Sequence, residues 1–467
     1  MTTISLVNFN TVCATLGGFI SLFGLLSFLC KEKFYLSKAL ISLLAGVVFS
    51  PNVANFIRPT EYALGSSQNV KIITLYFTRL VLGVQLFLAG VQLPKRYLQV
   101  EWKSLALLLG RGMTVMWNFV AACITRTDTV LSNSIFKGKF AERHVPRDLQ
   151  SMIIAEPGAN DGLGYPFLFL AIYLLKYTGM GGAGTSGGVG KAVGMWFYET
   201  WCYDILLSIL FGVVVGWLSR TLLHWAEENG YVDRESFFVF AISLGLFTLG
   251  TCGLIGTDDL LACFVAGNVF TQDDWFRLET MDDSLQPTID MPLNLSIFLW
   301  FGAVCPWSSF TDDSVIPLYR LLFLSILILL VRRMPAILAM HRSIHQIENL
   351  NQAAFVGFFG PTGVGAIFYL SVCQESLSKF TVDGEVRADA QRLSEAVDVI
   401  VWFLVVCSIV VHGLSIPLGK AGCHLPRTIS NAFSNSSTQE PAVTPADLLQ
   451  QPRSTATPLS HSEQFNA

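Results

Sequence analysis

Charged residues are scarce in this chain. They account for 14% of its 467 residues, whereas a soluble globular domain carries about 25%, and hydrophobic residues account for 52%. The formal net charge of -4 is nearly balanced, and no basic stripe with interleaved aromatic residues is present, which argues against nucleic acid binding. The composition therefore excludes an ordinary soluble domain and favours a protein that lies in a membrane.

The patterns of enzymes and of metal sites are missing as well. The ten cysteines include no CxxC pair, and most stand singly in apolar runs, which is typical of small buried hydrophobic residues. Four histidines lie near predicted helix ends rather than at ligand spacing: His224, His341, His345 and His412. The glycine-dense segment 178–191 has neither a preceding strand nor Walker spacing, so we interpret it as a flexible loop rather than a phosphate cradle. We therefore predict neither an enzyme nor a bound cofactor.

Apolar windows of about 20 residues, enough to cross a bilayer, recur along the chain. We count about twelve, within a range of about 11–13, so the prediction is an all-α polytopic membrane protein. The first window, 11–30, lacks a basic segment before it and a cleavage site after it, and is predicted to be a retained helix. The transmembrane domain is predicted to span 1–420, and the polar tail 421–467 to be disordered. A mild excess of Lys and Arg in alternate breaks places both termini in the cytoplasm.

The segment 151–177 has bilayer-spanning length but carries Glu156, Asn160 and Asp161. It also contains several helix breakers, namely Pro157, Gly158, Gly162, Gly164 and Pro166. A carboxylate in hydrocarbon costs several kcal/mol, so an ionisable residue at this depth indicates a function that involves ions or protons. The breakers predict a helix that bends or unwinds around Asp161, so that its free carbonyls line a polar cavity.

Two other segments are interrupted in a similar way. The sequence Thr125-Arg126-Thr127-Asp128 closes one apolar window, and 360–365, which reads GPTGVG, interrupts another. Paired interruptions in the two halves of a membrane protein indicate inverted repeats whose broken helices cross at a midplane site. The alternative for Asp128 is a loop residue that faces cytoplasmic water.

Two adjacent arginines, Arg332 and Arg333, interrupt a long apolar run. They are either a positively charged anchor that reaches the membrane surface at a helix end or the counter-charge for Glu156. The second hypothesis rests on the fact that two buried charges are tolerated mainly when they pair. Arg79 and Arg111 also lie in apolar windows, but the sequence does not identify their partners.

Asp258 and Asp259 lie where one apolar run ends and another begins. One interpretation makes Thr257 an N-cap and the two carboxylates favourable first-turn charges. The other places the two carboxylates on a cation path. Asp290 and Asn294 are one helical turn apart and are predicted to make a polar contact between helices rather than to bind an ion.

Five segments of the chain resemble fungal alkali-metal cation/proton antiporters of the cation:proton antiporter superfamily. They are GANDGLGYPFLFLAIYLL, KGKFAERHVP, GTDDLLACFVAGN, FFGPTGVGAIFY and IVVHGLSIPLGKAG. The resemblance extends from about Leu16 to about Ser430. It implies the sodium/hydrogen exchanger fold, an inverted-repeat fold with broken crossing helices, a dimerisation domain and a moving core domain, and assembly as a homodimer.

The resemblance also implies roles for individual residues. Asp161 would bind Na+ transiently, or a proton, and Asn160 would support that site. Thr127 and Asp128 would lie at the helix crossing. Glu156 would pair with Arg333. Asp258 and Asp259 match a pair associated with transport in the fungal members.

Four positions depart from the pattern of the resembled family. Thr129 replaces a proline after Asp128, and Arg126 places a positive charge that would oppose a cation. Pro157 replaces a serine near Asn160, and Gln92 stands where relatives often have Glu. These departures leave open an alternative, a non-transporting membrane sensor or scaffold that retains the fold.

The expected activity follows from a single carboxylate that holds either a proton or a cation. A proton gradient would then drive export of cytoplasmic Na+, or of K+ or Li+, without an ATP site. The resemblance implies a plasma-membrane protein that serves pH homeostasis, cation homeostasis and salt tolerance. Its partners would be alkali-metal cations, protons, the bilayer and a second copy of the chain.

Overall fold

The computed structural model describes residues 7–28, 36–112, 127–128, 132, 146–178, 187–280, 285–312, 315–382 and 384–434. Nearly all of these residues are helical. The described part contains one two-stranded antiparallel hairpin, formed by β1 Thr381–Val382 and β2 Glu385–Val386. The predicted all-α class is therefore confirmed.

The helices fall into two series along the chain. The first comprises α1 Val7–Phe28, α2 Lys38–Phe49, α3 Pro59–Tyr62, α4 Ser67–Gln92, α5 Tyr97–Val100, α6 Trp102–Ala106, α7 Arg147–Gly162, α8 Tyr165–Thr178, α9 Gly188–Met195, α10 Leu207–Glu228 and α11 Arg234–Ile255. The second comprises α12 Asp259–Phe270, α13 Trp275–Glu279, α14 Leu285–Val304, α15 Leu318–Val331, α16 Met334–Met340, α17 Leu350–Phe358, α18 Val364–Ser378 and α19 Ala388–Ser434. Two π-helical segments, Leu107–Gly112 and Trp196–Leu206, follow α6 and join α9 to α10, and two 3₁₀ turns are Trp307–Phe310 and His341–Ser343.

Polar residues mark several helix boundaries. The Ser66 side chain accepts a hydrogen bond from the backbone N–H of Asn69 (3.4 Å) at the start of α4, and Asn349 accepts one from Gln352 (2.9 Å) at the start of α17. These bonds satisfy N–H groups that have no partner within the helix. Gly256 ends α11 with a left-handed φ of 84°, which a residue with a side chain rarely adopts.

Long apolar helices dominate the described residues. Five of them are long and apolar enough to cross a membrane: Ser67–Gln92, Gly188–Glu228, Glu235–Ile255, Leu318–Ser343 and Ala388–Ser415. Four shorter apolar helical stretches accompany them: Asn10–Leu26, Lys38–Phe49, Asp259–Phe270 and Thr288–Val304. The other predicted windows fall on interrupted segments or partly outside the described residues.

The segment 151–177, predicted as one span, is in fact two helices. α7 has 16 residues and ends at Gly162, one residue after Asp161, while α8 has 14 residues and starts at Tyr165. Pro157 does not break α7 but lies inside it, buried. The predicted interruption therefore exists, and it lies directly after Asp161.

Small residues allow the helices to pack at close range. A Cβ atom at Gly267 of α12 would lie 2.2 Å from the carbonyl oxygen of Phe87 in α4, and one at Gly302 of α14 would lie 2.2 Å from that of Leu43 in α2. Such distances are impossible for a side chain, so glycine is required at both contacts. Close backbone packing at small residues is typical of membrane helices, and it fixes α4 and α12, two of the helices around the site.

The chain divides into two compact units, Met1–Pro417 and Leu418–Ala467. The predicted boundary at 420 lies within α19, whose backbone is helical as far as Ser434. Residues 435–467 lie outside the described residues, so the disorder of the tail stays a prediction. All the residues of the candidate site belong to the first unit.

Candidate functional site

Two interrupted segments from the two halves of the chain meet at Asp128. α17 ends at Phe358 and α18 begins at Val364, with non-helical residues between them. Thr127 and Asp128 are also non-helical, and the backbone N–H of Asp128 donates to the carbonyl of Pro361 at 2.7 Å. Asp128 is only 1% exposed, so the hypothesis of a water-facing loop residue is wrong. The sequence thus predicted which two segments meet.

The start of α18 holds the carboxylate of Asp128. Its Oδ1 accepts a hydrogen bond from the backbone N–H of Gly365 at 3.2 Å, in the first turn of α18. A Cβ atom at Gly363 would lie 2.5 Å from Asp128 Oδ2, so only glycine leaves room for the carboxylate. The N-terminus of a helix stabilises a negative charge because its free N–H groups point outwards.

Asp161 also lies close to Gly365, the glycine whose backbone N–H binds Asp128. Its residue is 0% exposed, and a Cβ atom at Gly365 would lie 2.7 Å from Asp161 Oδ1. The Tyr369 hydroxyl donates to the backbone carbonyl of Asp161 at 2.8 Å, near the end of α7, where the last carbonyls have no partner within the helix. Gly365 therefore brings α18 against Asp161 and also binds Asp128.

Asn160 connects Asp161 with the crossing. Its Nδ2 donates to Thr127 Oγ1 at 3.4 Å, and both residues are 2% exposed. Among the described residues, Asn160 Oδ1 is buried and accepts no hydrogen bond. Carboxylate and amide oxygens are the ligands that hard cations prefer. Asn160 and Asp161 together offer such oxygens inside the protein.

Glu156 and Arg333 form a buried ion pair one turn further back in α7. Arg333 Nη2 lies 2.5 Å from Glu156 Oε2, and the two side chains are 6% and 7% exposed. Arg333 lies between α15 and α16, and a Cβ atom at Gly360 would lie 2.5 Å from its Cδ. Arg332 donates to the carbonyl of Gly360 at 2.5 Å and to Thr362 Oγ1 at 2.8 Å. Both arginines thus bind inside the protein, and the surface-anchor interpretation is wrong.

α19, the last described helix, supports the chain between α17 and α18. Ser408 Oγ accepts from the backbone N–H of Thr362 at 2.8 Å. His412 lies in the interior of α19, with Nε2 3.0 Å from the carbonyl of Phe358 and Nδ1 2.8 Å from that of Ser408. The predicted position of His412 near a helix end is therefore wrong, and no sequence pattern indicated Ser408. The only available signal was a histidine within a long apolar run.

A comparison with known proteins agrees with this arrangement. Residues 18–418 match the transmembrane family of sodium/hydrogen exchangers. The chain belongs to this family. The chain also matches the solved structure of the sodium proton antiporter MjNhaP1 from Methanocaldococcus jannaschii, with a TM-score of 0.55 and 14% identity over 85% of this chain and 97% of that one. The predicted family and fold are therefore confirmed.

Several fungal relatives align with most of the length of this chain. It is 34% identical to a Na(+)/H(+) antiporter of Saccharomyces cerevisiae, over 91% of this chain and 45% of that protein. Identity is 35% to a probable Na(+)/H(+) antiporter of Schizosaccharomyces pombe, over 91% and 57%, and 30% to a Na(+)/H(+) antiporter of the same organism, over 86% and 88%. The chain thus spans about half the length of the first two relatives.

Asp258 and Asp259, two further predicted residues, lie at the junction of α11 and α12. Asp258, and not Thr257, is the N-cap of α12, since its carboxylate accepts from the backbone N–H of Leu261 at 3.0 Å. Asp259 forms an ion pair with Arg79 of α4, a partner that the sequence analysis did not identify. Both carboxylates are buried.

Other predictions concern positions around the site. Asn294 of α14 accepts a hydrogen bond from Gln85 Nε2 at 2.5 Å, the polar contact between helices that was predicted there. Asp290 is 6% exposed. Arg126 and Thr129 lie outside the described residues, so the effect of their charge and shape on cation binding stays a prediction.

Proposed function

We propose that the protein moves alkali-metal cations and protons in opposite directions across the membrane, and that Asp161 carries either ligand. The observation that carries this proposal is the position of the Asp161 carboxylate. It is fully buried, one residue before the end of α7, and it lies against Gly365 in the first turn of α18. The preceding residue, Asn160, has a buried amide oxygen that accepts no hydrogen bond from the described residues.

The physical cost of a buried charge supports an exchange mechanism. An ionised carboxylate at this depth is costly unless a proton or a cation neutralises it. A protein that changes conformation only when Asp161 is occupied therefore couples the two ligands, because one site cannot hold both at once. The concentration gradient of one ligand then drives the transport of the other. A ligand shifts the population between two conformations of the protein if it binds one of them more tightly than the other.

The proposal also includes the transported cation, the membrane in which the protein lies and its oligomeric state. The names of the fungal relatives support Na+ as the cation, and the sequence does not separate it from K+ or Li+. We infer a homodimer in the plasma membrane with cytoplasmic termini, an orientation supported by the mild excess of Lys and Arg in alternate breaks. Cation homeostasis and salt tolerance would follow from Na+ export.

The test is Asp161→Asn in proteoliposomes that contain a pH-sensitive dye. Addition of Na+ outside vesicles that hold the wild-type protein should cause a pH change, and the variant should lose it. The matched control is Asp274→Asn, outside the membrane-spanning helices, where hydrogen bonds from Arg277 lower the pKa of Asp274 and keep it charged at neutral pH. This control also removes one negative charge but should exchange normally.

Two results would contradict the proposal. If Asp161→Asn exchanges Na+ for protons as the wild type does, Asp161 is not the carrier. If the folded wild-type protein shows no exchange with Na+, K+ or Li+, the sensor or scaffold hypothesis replaces transport. Size-exclusion profiles and thermal melts in detergent establish that each variant is folded.

A further inference from the structure

Arg79 lies deep within the membrane-spanning helix α4. It follows the first residue of that helix, Ser67, by twelve positions, which is about 18 Å along the axis at about 1.5 Å per residue. The helix has 26 residues and is long enough to cross the hydrocarbon core of about 30 Å, so Arg79 lies at the middle of a span. The Arg79 side chain is 32% exposed. A guanidinium at this depth requires a partner or water.

The partner of Arg79 is Asp259 at the start of α12. Arg79 Nε donates to Asp259 Oδ2, and the Asp259 side chain is only 4% exposed. A third helix makes room for the guanidinium, because a Cβ atom at Gly253 of α11 would lie 1.9 Å from Arg79 Nη2. Three helices therefore combine to hold this ion pair in one place.

The ion pair lies in the wall of a large cleft. The cleft has a volume of about 790 Å³, and Tyr165 and Phe368 line it together with Arg79 and Asp259. The ring of Tyr165 packs edge-on against Tyr369, with centroids 5.4 Å apart. Since the Tyr369 hydroxyl binds the backbone of Asp161, two aromatic side chains in contact, Tyr165 and Tyr369, connect the wall of the cleft to the candidate carrier residue.

The other charged residues of the cleft lie nearer to water. Lys71, Glu375 and Lys379 line it and are exposed, and Lys379 Nζ pairs with Glu375 Oε1 at 2.9 Å. Exposed charges are hydrated and screened by salt within about 8–10 Å. Arg79 is the least exposed cationic residue of this lining, so its charge acts most strongly on a cation in the cleft.

We propose that Asp259 is a positioning residue that neutralises Arg79 and so keeps this cleft open to cations, rather than a ligand of the transported ion. The proposal rests on the function proposed above. Asp259 is already bound to a guanidinium in a buried setting, so it offers little to a passing cation. Without Asp259, Arg79 would place an unbalanced positive charge on the route to Asp161.

The test compares Asp259→Asn, Arg79→Gln and the double variant in the same proteoliposome assay. Asp259→Asn should raise the half-saturating Na+ concentration roughly tenfold. An unpaired Arg79 charge about 10 Å from a bound cation weakens cation binding by about that factor at an effective dielectric constant of about 20. Arg79→Gln should retain exchange. The double variant should return to within about threefold of the wild type, because no unbalanced charge remains. Asp274→Asn is again the matched control.

The double variant decides between a neutralising role and a ligand role. If it is folded and exchanges no better than Asp161→Asn, Asp259 is required in itself, and the proposal is overturned. This comparison remains decisive even if Asp259→Asn alone fails to fold, because the double variant buries no unpaired charge. A failure of rescue beside an active wild type refutes only this inference, whereas an inactive wild type refutes the transport function as well.

Discussion

The ion pair between Glu156 and Arg333 should be worth far more as a pair than as two separate residues. Its atoms are 2.5 Å apart, and its side chains are 6–7% exposed, so neither charge has water to replace a lost partner. Breaking a buried pair by removing one member costs about 3–5 kcal/mol, whereas replacing both members is often nearly neutral. We therefore expect a coupling energy on the order of 3 kcal/mol or more between the two positions.

The assay is a double-mutant cycle. The free energy of unfolding is measured by denaturant titration in mild detergent for Glu156→Gln, Arg333→Gln and the double variant. Each single variant should lose about 3–5 kcal/mol, and the double variant much less than the sum. At about 1.4 kcal/mol per factor of ten, the coupling corresponds to a hundredfold or larger change in the folding equilibrium.

The neighbouring arginine provides a matched control. Arg332 donates its hydrogen bonds to Gly360 and Thr362 rather than to Glu156, so the coupling energy between Glu156→Gln and Arg332→Gln should be much smaller than that between Glu156→Gln and Arg333→Gln. Strict additivity for the Arg333 cycle would refute the reasoning, because it would mean that Glu156 does not depend on Arg333. Strong coupling of Glu156 to Arg332 alone would mean that Glu156 pairs with Arg332 instead of Arg333.

Two further predictions concern the helix junctions. Gly365→Ala should lower exchange and cost about 1–3 kcal/mol through overpacking, because its Cβ would lie 2.7 Å from Asp161 Oδ1, whereas Gly250→Ala, with open space around it, should be neutral in the same melts and transport assays. If the two alanine variants behave alike, α18 does not confine Asp161. Asp258→Ala should cost about 0.5–2 kcal/mol of unfolding free energy through the lost N-cap, and Asp258→Asn should restore it. An Asn variant that is stable but inactive would place Asp258 on the cation route instead.

The sequence alone determined the class of the protein and the positions of its interruptions. Apolar windows and their length are local properties, and so are the glycines and prolines near Asp161 and in the segment 360–365. Each of these acts on its own stretch of backbone. The interruption after Asp161 and the non-helical residues before Val364 were therefore predictable. Pro157 was misjudged, because the packed surroundings keep α7 helical through it.

Only the tertiary structure decided which charges pair. The sequence offered two adjacent arginines for Glu156, and the turn between α15 and α16 directs Arg333 to it while Arg332 binds the interrupted segment. Arg79 and Asp259 are 180 residues apart and share no local pattern, so nothing in the sequence joined them. Their pairing depends on Gly253, which leaves space for the guanidinium between α4 and α11. Helix breaks follow from neighbouring residues along the chain, whereas the balance of buried charge depends on which helices pack together.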